Sequence, residues 1–179
     1  AEDGRDIYIK TQGLDTIPEL LSETDISYVQ QLRGQMDSLR FWFSAPPLGE
    51  DDIRLSLGDF VDTLSVPRVF KPVLPKPMSI VAEIANATAP LLLSTEVPIA
   101  RIDSSRIQVL RDSLAIPFDA NAIELDGLQL SLSLDWEAGS FYNLVLAAGA
   151  ITDIYGTQND SLDLRIRCPE ERTFGTLSL

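Results

Sequence analysis

The chain has 179 residues, 45% of them hydrophobic, which is enough for one or two packed domains. Its 14 basic and 27 acidic residues leave a net charge of −13, so it has too little Lys/Arg surface to neutralise phosphates and no nucleic-acid or anionic-lipid partner is expected. It has no histidine and a single cysteine, Cys168, which excludes Ser-His-Asp and Cys-His catalysis, an intrachain disulfide and a multi-cysteine zinc site.

In chain order, the first expected element is a helix within Ile17–Met36, with Ser22 or Thr24 as N-cap and Gly34 as its stop. Period-two alternation then predicts strands at Leu39–Phe43 and Ile53–Leu57. Between Pro67 and Pro77 lie four prolines, at 67, 72, 75 and 77. Prolines this dense lack the N–H groups of a central strand and favour an extended connector. Beyond them, strands are predicted at Met78–Ile84, Ala89–Val97, Arg106–Arg111, Leu114–Asp119 and Phe141–Ala147.

Two of the later runs alternate most cleanly. Leu128, Leu130, Leu132, Leu134 and Trp136 share one face, opposed to Gln129, Ser131, Ser133 and Asp135. Leu162, Leu164, Ile166 and Cys168 likewise oppose Asp163, Arg165 and Arg167. Each reads as a strand with one dry and one wet face, and Cys168 reads as core. Leu125–Gly127 and Trp136–Gly139 read as turns. Short strands at this spacing predict an all-β fold built as a sandwich. The expected organisation is a smaller β-rich module at 1–70, a connector at 71–77 and a β-sandwich at 78–170. A final stretch at 171–179 reads as a closing strand or the start of a further module. No run approaches the ~20 apolar residues a spanning helix needs.

The stretch Met78–Phe174 resembles the SbsA-type bacterial Ig-like domains of surface-layer and other exported proteins. An apolar strand ending in Pro98–Ile99 leads to "IDSSRI", then to "LQLSLSLDWEAGSFYNLVLAAGAITDIYGTQND". The residues carrying the likeness are Trp136, Gly139, Tyr142, Gly149, Asp153, Gly156, Asn159 and Asp160. Residues 37–66 more loosely resemble the closing strands of a preceding module in envelope proteins of Gram-negative anaerobes. The resemblance implies an Ig-like sandwich in an exported protein or lipoprotein, at the periplasm or outer surface. Its partners would be other modules of the same chain or other envelope proteins. Any membrane anchor would lie outside these residues.

Four groups could carry chemistry. Asp153, Asn159 and Asp160 could offer oxygens to calcium, but they lack the D-x-D-x-D-G spacing, and Asp, Gly and Asn in this order more simply reverse a chain. Gly49–Asp52 bring acids together on a loop tip, where they keep a sheet edge soluble; glycosidase chemistry needs carboxylates across a cleft. Trp42 falls on the polar face of its strand beside Arg40 and Ser44, where an exposed indole could contact a glycan; the plainer reading is a cover for a sheet or a module contact. Asp-Ser/Thr-aliphatic triplets place Thr16, Ser38, Thr63, Ser113 and Ser161 as candidate O-glycosylation acceptors, by resemblance to a general system of exported proteins in Gram-negative anaerobes. Local physics also explains these triplets, as polar turns that open the next strand. The expected function is a non-catalytic structural or interaction segment of a cell-envelope protein, spacing or presenting other modules, with no cofactor and no metal. The alternative is a carbohydrate-binding or adhesin module.

Overall fold

The structure is a computed structural model; it describes residues 6–10, 19–21, 28–33, 38–43, 52–57, 60–65 and 77–170, with side chains in the first six stretches only at Arg40, Phe41 and Trp42. The chain divides into two compact units, Ala1–Lys76 and Pro77–Leu179, at the end of the proline-rich stretch. All strand pairings among the described residues are antiparallel, and the fold is all-β.

The first unit contains β1 (Asp6–Lys10), β2 (Glu19–Leu21), β3 (Tyr28–Arg33), β4 (Ser38–Phe43), β5 (Asp52–Leu57) and β6 (Phe60–Ser65). They form two three-stranded sheets, ordered β1-β4-β3 and β2-β5-β6. The helix expected within Ile17–Met36 is not there: β2 and β3 occupy its described part. Tyr28 and Val29 favour extended backbone, and β3 pairs along its whole length with β4, from Tyr28↔Phe43 to Arg33↔Ser38. Those ladder bonds override the helix signals of Ser22, Thr24 and Gly34.

The second unit is a β-sandwich. One sheet is ordered β12-β13-β8-β7, from β7 (Ile80–Ile84), β8 (Leu91–Thr95), β12 (Ile123–Asp126) and β13 (Gln129–Leu132). The other is ordered β11-β10-β14-β16, from β10 (Ile107–Arg111), β11 (Leu114–Ile116), β14 (Phe141–Leu146) and β16 (Leu162–Arg167). A two-stranded ribbon pairs β9 (Ile99–Ile102) with β15 (Ile151–Asp153).

Alternation builds the core directly. In β8 and β13 the inward pairs are Leu93↔Leu130 and Leu91↔Leu132, all at most 1% exposed. From the opposite sheet Ile107, Val109, Tyr142, Leu144 and Leu146 enter the same cluster. Each such side chain contributes about 2 kcal/mol of burial. Cys168 is fully buried in this core, as its phase with Ile166 predicts. Trp136, 6% exposed, meets Tyr142 edge to face, with ring centroids 4.9 Å apart and planes at 89°.

Two boundaries differ from the sequence reading. Leu125 and Asp126 are not turn but the end of β12, paired with Leu130 and Gln129, and only then does the chain reverse at Gly127. The strand expected over Leu128–Trp136 is ordered as β13 only from Gln129 to Leu132, yet Trp136 is buried because the chain continues along the same core.

Candidate functional site

The polar segment between β15 and β16 is where the sequence gathers acids, amides and a glycine. The two apolar runs that flank it, β14 and β16, are paired neighbours, from Phe141↔Arg167 to Leu146↔Leu162. The chain between them leaves the sheet, makes the β9–β15 ribbon and returns. Asp153 controls the return. Its Oδ1 accepts from the Tyr155 and Thr157 backbone N–H groups, each at 2.8 Å. Its own backbone N–H donates to the Thr157 carbonyl at 3.0 Å, and its carbonyl accepts from Gly156 at 3.0 Å. Gly156 sits at φ 82°, a left-handed position that a glycine takes without strain.

Asn159 ties the other end. Its Oδ1 accepts from the Ile151 N–H at 2.7 Å, and its Nδ2 donates to the Ala147 and Asp160 carbonyls at 3.0 and 2.8 Å. Beside it Gly149, at φ 75°, lies so close to Gln158 and Arg106 that a Cβ there would sit 3.1 and 3.2 Å from their side chains. Asp153 and Asn159 are only 6% and 2% exposed. The polar centre is a turn whose side chains replace backbone partners, and its two central groups face the protein rather than solvent.

The same device recurs at the neighbouring loop. Asp103 caps a short 3₁₀ turn, Ser104–Arg106, accepting at Oδ1 from the Ser105 N–H and hydroxyl. Arg106 pairs with the Asp103 carboxylate at 3.1 Å and donates to the Ala148 carbonyl at 2.7 Å. The Ser105 hydroxyl bond, followed by its backbone N–H and the Arg106 charge, holds the Asp103 carboxyl below its ordinary value against the opposing effect of desolvation. Burial alone pushes the Cys168 thiol up.

The aromatic proposed for sugar contact is placed otherwise than expected. Trp42 does share a face with Arg40, whose guanidinium lies 4.9 Å from the ring centroid, but the indole is 1% exposed. Phe41, pointing to the opposite face, is 1% exposed as well, so β4 is covered on both sides here. β4 is the middle strand of its sheet, whereas the sequence reading assumed one wet face. Trp42 is therefore no exposed stacking platform.

The triplet hydroxyls fall at several places. Ser113 is exposed at φ 68° in the β10–β11 turn, and Ser161 is exposed just before β16. They lie at opposite ends of one sheet, since Leu162 is aligned through Leu146 with the start of β10. Ser38 opens β4; Thr63 falls inside β6, opposite Arg54, so the strand-opening turn does not describe that triplet. Thr16 and Gly49–Asp51 lie outside the described residues, while Asp52 begins β5.

A feature missed in the sequence is the edge of the sandwich. Among the described residues β7 and β16 end their respective sheets, and a cleft of about 290 Å³ lies between Ala82–Ile84 and Leu164–Arg167. Outside it, Phe141 is 47% exposed with the Arg165 and Arg167 guanidiniums 4.3 and 5.7 Å from its ring centroid. The outward phase of these residues is visible in the alternation, but nothing in the spacing says that β16 is an edge. Neither protein-family models nor curated proteins gave a match to the chain.

Proposed function

We propose that this chain is a non-catalytic structural segment of an exported bacterial cell-envelope protein, with an Ig-like second unit that spaces or presents other modules. The observation that carries this reading is how the polar residues of the segment 153–160 are used. Asp153 and Asn159, the most chemically suggestive side chains in the sequence, are buried and bonded to the backbone that they fold. Trp136 and Tyr142, which carry the family likeness, pack in the core, and the Tyr142 hydroxyl accepts from the Glu137 N–H at 2.7 Å. Residues of this kind maintain a scaffold. The carbohydrate-binding alternative loses its particular support with the burial of Trp42.

Exposure of Ser113 and Ser161 supports a further part of the reading, that the chain is glycosylated at Asp-Ser-aliphatic triplets in its own host. Fractionation of that host, followed by intact mass measurement of the purified protein, tests both parts. The chain is expected in the envelope fraction with excess mass in hexose-sized increments. Recovery in the cytosol would overturn the export reading, and an unmodified mass would leave the triplets as turns. A glycan array with the full chain is expected to be blank; a specific signal would move the function to the alternative.

A further inference from the structure

We propose that the free edge of β16 is a self-association surface, pairing antiparallel with β16 of a second copy of this chain about a twofold axis at Leu164. Among the described residues β16 has one hydrogen-bonded strand neighbour, β14; β7 of the other sheet lies across the cleft without ladder bonds to it, so the other edge of β16 presents unpaired backbone groups. Its inward side chains are less covered than those of the adjacent strand. Leu144 and Leu146 are fully buried, whereas their partners across the ladder, Leu164 and Leu162, are half-buried. An added strand would cover them.

The occupant is read from the charge order. Leu162-Asp163-Leu164-Arg165-Ile166 runs apolar, acid, apolar, base, apolar, symmetric in character about Leu164. An isologous antiparallel pairing about that residue puts Asp163 opposite the partner's Arg165 and Arg165 opposite the partner's Asp163. On the inward face Leu162 meets the partner's Ile166, and the two Leu164 side chains meet each other. The neighbouring same-face registers fail. Centring on Arg165 sets the two arginines opposite each other, and centring on Asp163 does so for the two aspartates; like charges directly opposite are unfavourable. Both charged groups are exposed and, among the described residues, outside the ion pairs: the arginine pairs there are Arg106–Asp103, Arg111–Glu137 and Arg167–Glu170. Asp163 accepts only a 3.4 Å bond from Asn143, and the Arg165 guanidinium rests on the Phe141 ring.

Sedimentation velocity of the full chain, from micromolar to near-millimolar concentration, tests the proposal. The wild-type chain should show a concentration-dependent dimer. Asp163→Arg and Arg165→Asp should each raise the dissociation constant about tenfold or more, because each turns two attractive cross-strand pairs repulsive. The double variant Asp163→Arg/Arg165→Asp restores opposite charges and should dimerise like wild type. An equimolar mixture of the two single variants should form the mixed dimer. Unchanged melting temperatures would show that the exposed substitutions leave the fold intact. A chain that stays monomeric throughout, with the edge covered by another part of itself or by a different protein, would overturn the proposal. So would an Asp163→Arg variant that dimerises as tightly as wild type.

Discussion

Asn159 is the residue on which the 153–160 segment most depends. Truncating it to alanine leaves the buried Ile151 N–H without its 2.7 Å acceptor and the Ala147 carbonyl without its donor. An orphaned buried donor costs about 1–3 kcal/mol, so Asn159→Ala should lower the chemical-denaturation stability of the second unit by that amount. Asp153→Ala removes one acceptor shared by two N–H groups and should act in the same direction. Cys168 gives a pH signature. Its folded pKa is raised above the ordinary 9.0, so the folded state keeps a proton that the unfolded state loses. That stability is present below about 9 and is lost as pH rises through the folded value. Thermal melts from pH 8 to 10.5 should fall more steeply for wild type than for Cys168→Ala. A thiol reagent should label the chain only as fast as the second unit opens. Asp103 has the opposite sign: its depressed pKa supports the fold above the ordinary carboxyl range, and that support fades as acid carries the pH through the folded value.

At the scale of elements, the β10–β11 hairpin carries a local misfit. Asp112 and Ser113 both adopt positive φ, 50° and 68°, the backbone of a two-residue turn that matches strand twist. Aspartate accepts this conformation readily, whereas serine does so at a cost that glycine avoids. Ser113→Gly should therefore stabilise the second unit by about 0.5–1 kcal/mol, read as a higher melting temperature. Unchanged or lower stability would show that the turn relaxes away from this geometry in solution. Strands with strong alternation, such as β8, β13, β14 and β16, are legible from the sequence because every second residue turns inward, buried in the first three and partly so in β16. β9 and β15 were not: Ile99–Ile102 and Ile151–Asp153 are too short for a period to show. In Ile17–Met36 the cap and stop signals at Ser22, Thr24 and Gly34 suggest a helix, and nothing local shows that β4 recruits Tyr28–Arg33 as a strand.

For the whole molecule, the division after Lys76 predicts independent folding. A fragment covering 77–179 contains both sheets of its sandwich and the hydrophobic cluster between them. It should melt cooperatively and give dispersed amide NMR signals by itself, while the full chain should unfold in two steps. An unfolded fragment from a folded full chain would mean that the two units share a core.

What the sequence determined by itself follows from periodicity and composition, which act locally. Alternation at Leu128–Leu132 and Leu162–Cys168 is enough to specify strands, their dry face and the burial of Trp136 and Cys168. The absence of histidine limits the available chemistry before any coordinate is known. Asp, Gly and Asn between Asp153 and Asn159 announce a turn through their own conformational preferences. Only the tertiary structure decided which strands lie in the middle and which at the edge, because neighbours in a sheet are set by contacts remote in sequence. That decision buried Trp42, whose face looked polar, by covering both sides of β4. It also left Asp163 and Arg165 on an edge that the same alternation, placed in a central strand, would have closed.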